Sequence, residues 1–160
     1  MWLWTFAVTS LLGTALHFLY DIWPTAWSSV VAPINESVWE HLKLLFGPML
    51  LGAAFLSRGK PNRERFWGSF FIALLATPVL LLLSFYGLKA LGIESVALDI
   101  TLYYVCMFFG YSLARWLYRK KKPEKFGGFA LMVLILYAAS LILFTFAAPD
   151  LSIFRDMSQR

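Results

Sequence analysis

The chain is 160 residues long, 60% hydrophobic, 18% aromatic and only 14% charged, where soluble domains carry roughly 25% charge. That composition excludes an ordinary water-soluble enzyme and reads as an all-α, polytopic membrane protein forming one domain, 1–160. The net charge of +5 does not point to nucleic acid, because ten of the fourteen Lys and Arg fall in two short segments between apolar runs, where they act as topology signals.

Residues 2–20 form the first apolar run, and the absence of any Lys or Arg before Lys43 deprives it of the basic region a cleavable signal peptide needs. It is expected to be a retained membrane span. Residues 21–36 are a connector in which Trp23 and Trp27 suit the headgroup layer and Pro24 is expected to open a short interfacial helix. The second span is expected over 37–57, starting at a capping box in which Ser37 accepts from the Glu40 N–H and Glu40 reaches back, with Gly47-Pro48 as a kink. Arg58, Lys60, Arg63 and Arg65 make the first basic loop. The third span, 66–88, carries Thr77-Pro78 at its middle, and the fourth, 96–117, contains Cys106. As the sole cysteine, it excludes an internal disulfide and reads as a small core residue. Arg115, Arg119, Lys120, Lys121, Lys122 and Lys125 surround the second basic loop, the fifth span covers 127–147, and residues 148–160 are an outer tail with an apolar Ile153-Phe154 pair.

Five spans with both basic loops inside place the N-terminus in the cytoplasm and the C-terminus outside, in a multi-pass protein of the inner (plasma) membrane. Seven of the nine acids, Asp21, Glu36, Glu40, Glu94, Asp99, Asp150 and Asp156, then fall at the outer ends. The positive-inside rule weighs acids little. Their crowding asks for a separate cause.

His17 and Asp21 are four residues apart and share a face on a continuous helix. His41 stands about one turn inside the second span, so His17 and His41 lie at similar depth and can meet. Ionisable groups within a membrane are costly, and a gathering of them marks a candidate site. Imidazole and carboxylate together suit a divalent metal, zinc first, so His17, Asp21 and His41 are the expected ligands, with Glu36 or Glu40 as general base toward a metal-bound water. Asn35, Lys43, Asp99 and Tyr103 complete the expected pocket, and Asp150 or Asp156 joins it if the tail folds back. The corresponding function is a metal-dependent hydrolase of a lipid-like or other extracytoplasmic amphiphile, with membrane lipids as surroundings and the oligomeric state open. Three alternatives stand beside it: a structural polar cluster, in which Glu40 pairs with Lys43 and the acids cap helices; a transporter, against which the nearly uncharged inner halves of the spans argue; and a haem held between His17 and His41.

The strings Leu16-His17-Phe18-Leu19-Tyr20-Asp21 and Pro33-Ile34-Asn35-Glu36-Ser37-Val38-Trp39-Glu40-His41-Leu42-Lys43-Leu44 resemble the signature of a family of small bacterial multi-pass membrane proteins of unknown function, with Pro149 to Asp156 a weaker match. The resemblance implies a five-helix membrane protein and carries no activity with it.

Overall fold

A computed structural model describes residues 1–120 and 123–157; Lys121 and Lys122 of the second basic loop lie outside the described residues. Among the described residues the regular structure is helical throughout: α1 Trp2–His17, α2 Leu19–Ile22, α3 Ala26–Val31, α4 Val38–Ser57, α5 Arg63–Ala90, α6 Val96–Tyr118 and α7 Pro123–Phe146, then a short 3-10 turn, Ser152–Phe154. Three of these, α5, α6 and α7, are long and apolar enough to cross a membrane. The first helix stops at His17 instead of continuing to Tyr20. Its 16 residues give roughly 24 Å, against about 30 Å for the hydrocarbon layer. Helix α4 has 20 residues, but its buried face includes Glu40 and Lys43.

Local chemistry sets the helix starts. The connector folds into α2 and α3, and α3 opens on Thr25: its hydroxyl accepts from the Ser28 N–H at 3.2 Å while Ser28 Oγ accepts from the Thr25 N–H at 3.0 Å. This reciprocal box places the start at the threonine, and Pro24 lies just outside it. Helix α4 is capped by Ser37, whose Oγ accepts from the Glu40 N–H at 3.3 Å. The return half of the expected box does not form, because the Ser37 N–H donates to Asn35 Oδ1 at 3.0 Å and Glu40 turns inward. Asn62 caps α5 by accepting from the Arg65 N–H at 2.9 Å. Both α4 and α5 continue through their prolines, Pro48 and Pro78.

Helix α5 is the centre of the bundle, with α6 and α7 packed along it and α4 also against it, while α1 lies on α4 and touches α6. The core is formed by Met49, Phe66, Phe70, Leu74, Cys106 and Met107, all buried. Close backbone approach and hydrogen bonds join the helices at two seams. A Cβ on Gly68 would come within 2.6 Å of the Pro123 carbonyl oxygen, so α5 and α7 meet backbone to backbone there. The α1–α6 seam is closed by three tyrosines of α6: Tyr103 donates to the Ser10 carbonyl at 3.0 Å, and the hydroxyls of Tyr104 and Tyr111 lie 2.8 Å from those of Thr14 and Thr9. This seam fixes α1, and with it His17.

Candidate metal centre

His17 is the last residue of α1 and His41 sits in the first turn of α4, and the packing of α1 on α4 brings their rings to 5.1 Å between centroids. Glu36, just before the Ser37 cap, reaches both: Oε1 is 3.7 Å from His17 Nε2 and Oε2 is 3.4 Å from His41 Nε2. One ligand atom from each of the three lies within 4.8 Å of the others. Two ligands held at about 2.0–2.1 Å by a tetrahedral ion are themselves about 3.3–3.4 Å apart. The two imidazole–carboxylate separations, one to each Glu36 oxygen, are close to that spacing, and the widest distance within the trio, up to 4.8 Å, asks for an inward movement of about 1.5 Å.

The tautomer of His41 follows from its other nitrogen. Nδ1 lies 2.8 Å from the Ser37 carbonyl oxygen, and since a carbonyl only accepts, Nδ1 carries the hydrogen. Nε2 is thereby left facing a carboxylate, an arrangement that needs either a second proton on the ring or a cation between the two groups. A backbone carbonyl that orients the remote nitrogen is the usual outer partner of a metal-binding histidine. The hydrogen bond with the His41 imidazole holds the Glu36 carboxyl below the ordinary carboxylate range, helped by the charges of His41 and His17 and opposed by partial burial and the charge of Asp156.

Beside these three side chains is a cavity of about 580 Å³. Its walls are largely apolar, with Leu44, Leu81, Phe85, Val96 and Leu102 among them, and Asp99, Tyr103 and Met157 also face it. A wider groove of about 800 Å³ runs between α4, α5 and α7 past Arg63, Trp67 and Glu124, near the starts of α5 and α7 and away from the histidines.

The remaining expected site residues divide. Asp21 is exposed in α2 and is not part of the His17–Glu36–His41 group, because α1 ends at His17 and the two residues do not share one continuous helix. Glu40 and Lys43 are buried, 3% and 2% exposed at their side chains, in an ion pair of 2.6 Å. Glu40 Oε2 also accepts from the Ile34 N–H at 3.0 Å and Oε1 from Thr145 Oγ1 at 3.0 Å, while Lys43 Nζ donates to the Ser29 carbonyl at 2.7 Å. This network ties the loop before α4 to α3 and α7, and Glu40 does not line the cavity. Asn35 serves the Ser37 N–H. Asp150 is paired with Arg155 at 3.0 Å on the surface, whereas the tail folds back so that Phe154 packs on Trp39 and Phe144, at 5.0 and 5.3 Å between ring centroids. That fold-back brings Met157 to the cavity and Asp156 close enough to influence Glu36.

Sequence reasoning missed Thr14, Tyr104 and Met157 at the cavity and Thr145 in the buried network. It also missed Ser37 as the anchor of His41, although the four-residue spacing within the first turn of a helix carries that signal.

A family model described as a family of unknown function, DUF6512, matches residues 1–159. The chain belongs to that family. No curated protein and no solved structure matches it.

Proposed function

We propose that this member of the family is a five-span plasma-membrane protein, N-terminus inside, that holds one divalent metal, zinc in first place, with His17, Glu36 and His41 at the outer face. The single observation carrying this reading is the oriented His41: its Nδ1–H is spent on the Ser37 carbonyl, while its Nε2 and that of His17 face the two oxygens of the Glu36 carboxylate at 3.4 and 3.7 Å. The two further spans are α1 and α4, the first completed by interfacial Tyr20 and the tryptophans that follow it. Glu36 in a partly exposed loop favours an ion over a haem, because its carboxylate stands between the imidazoles. Two histidines and one carboxylate with a fourth position open form a catalytic zinc set, and zinc there would supply Lewis acidity and an activated water.

The activity this supports is hydrolysis of an amphiphile that enters the cavity. Glu36 acts as a ligand, Glu40 is committed to Lys43, and the general base passes to Asp99, which lines the same cavity from the first turn of α6. Protein purified from membranes without chelator should contain close to one zinc per chain, with hydrolysis removed by chelator and restored by zinc. Metal-free protein that is fully folded and takes up no zinc refutes the reading. The second reading is non-enzymatic: a proton on His41 satisfies Glu36 as well as a cation does, and the trio then only fastens α1 to α4.

A further inference from the structure

We infer that the substrate is a single-chain acyl ester or amide with no negative charge at its polar end, its carbonyl held at the His17–Glu36–His41 centre and its chain in the adjoining cavity. The inference rests on the proposed metal site and adds to it what the cavity selects.

The cavity holds about 580 Å³. A methylene takes about the room of a liquid water molecule, roughly 30 Å³, so the space is of the size of one chain of about fifteen to twenty carbons. The direction of the chain follows from the helices. His17 and His41 stand near the end of α1 and the start of α4, and Leu44 lies one turn deeper along α4. Leu81 lies one turn deeper than Phe85 in α5, as Tyr103 does relative to Asp99 in α6, and all of these line the cavity. The polar end is therefore at the histidines and the floor is at Leu44, Leu81 and Tyr103.

Charge determines the kind of head group. Among the described residues no Lys or Arg lines the cavity, and its polar titratable groups are His17, His41, Glu36, Asp99 and the hydroxyls of Tyr103 and Tyr104. Lys89, at the same end of α5, is paired with Glu94 at 4.0 Å. The hydroxyls of Tyr103 and Tyr104 are engaged with Ser10 and Thr14. A divalent ion with Glu36 and Asp99 leaves the centre close to neutral, and among the described residues that line the cavity there is no Arg or Lys of the kind proteins use to hold the phosphate or carboxylate of an anionic lipid. A neutral acyl carbonyl, or one with a cationic leaving group, fits that balance.

The reaction is a balanced hydrolysis. A water oxygen bonds to the acyl carbon, the carbon–oxygen or carbon–nitrogen bond breaks, the water proton taken by Asp99 passes to the departing alcohol or amine, and a fatty acid is released.

The test uses full-length zinc-loaded protein in detergent with p-nitrophenyl palmitate, p-nitrophenyl butyrate, palmitoyl p-nitroanilide and the phosphodiester bis-p-nitrophenyl phosphate. The palmitoyl probes should be cleaved and the phosphodiester should not. Leu81→Trp, which raises the floor, should lower the palmitate-to-butyrate rate ratio about tenfold or more, and Phe85→Ala, which widens the wall, should leave palmitate preferred; loss of several methylene contacts is worth at least that much. Cleavage of the phosphodiester in preference to the acyl probes, or a ratio indifferent to Leu81→Trp in protein that still binds zinc, overturns the substrate assignment while leaving the metal site standing. Zinc-loaded protein that cleaves none of the probes overturns both the substrate and the hydrolase reading.

Discussion

Glu40 and Lys43 form a 2.6 Å ion pair almost wholly shielded from solvent, and every polar atom of the pair has a protein partner drawn from α3, the following loop, α4 or α7. Removing one member leaves a bare charge in a dry interior, which costs about 3–5 kcal/mol, whereas replacing both by apolar residues of similar volume costs far less. Lys43→Met should therefore lower the unfolding free energy in detergent by roughly that amount, and Glu40→Leu/Lys43→Met should recover most of it. Glu40→Gln should weaken the fold and spare zinc binding. Zinc lost at unchanged stability would instead make Glu40 a ligand.

Asp99, the proposed general base, and Asp21, an acid outside the cavity, give opposite expectations. Asp99 faces the cavity and Asp21 is exposed outside it. Asp99→Asn should reduce hydrolysis by about 10²–10⁴-fold, the usual worth of a general base, while zinc stoichiometry stays the same. Asp21→Asn should change neither. Steady-state rates beside metal analysis of the same preparations decide it.

The seat of α1 predicts opposite outcomes for two neighbouring small residues. A Cβ on Gly13 would collide with the Tyr103 hydroxyl and come to 2.7 Å from the Leu44 carbonyl oxygen, the carbonyl that Pro48 leaves without its helical donor. Gly13→Ala should cost about 1–3 kcal/mol of stability, as overpacking does, and should also weaken zinc binding by moving His17. Ser10 Oγ is buried without a hydrogen-bond partner among the described residues. Ser10→Ala should be neutral or stabilising, since it removes an unmet polar group; thermal unfolding of the two variants makes the comparison.

Phe154 holds the tail against Trp39 and Phe144. It is half-buried, so Phe154→Ala should cost roughly half of the 3–5 kcal/mol seen for fully buried phenylalanines, and protease should then reach the tail sooner. Equal proteolysis rates in the two proteins would mean that the tail is not held there.

The all-helical class and the long apolar helices α5, α6 and α7 were legible because long apolar runs and the basic loops between them are local signals, whereas α1 ends at His17 and the connector carries two short helices where one was expected. The partners of Glu40 were only half legible. Its spacing to Lys43 is visible in the chain, but Thr145 and Ile34 reach it through tertiary packing that no periodicity encodes. Asp21 misled for a related reason: four-residue spacing implies a shared face only while the helix continues, and α1 ends at His17. Met157 entered the cavity through a fold-back for which the Ile153-Phe154 pair was the one visible hint.

Calorimetric titration of chelator-stripped protein with zinc bears most directly on the proposed centre. One site per chain is expected, weakened roughly 100-fold or more in His41→Ala and in Glu36→Gln and unchanged in Asp21→Asn. Zinc binding of equal strength in wild type, His41→Ala and Glu36→Gln, or none in folded wild type, would contradict it.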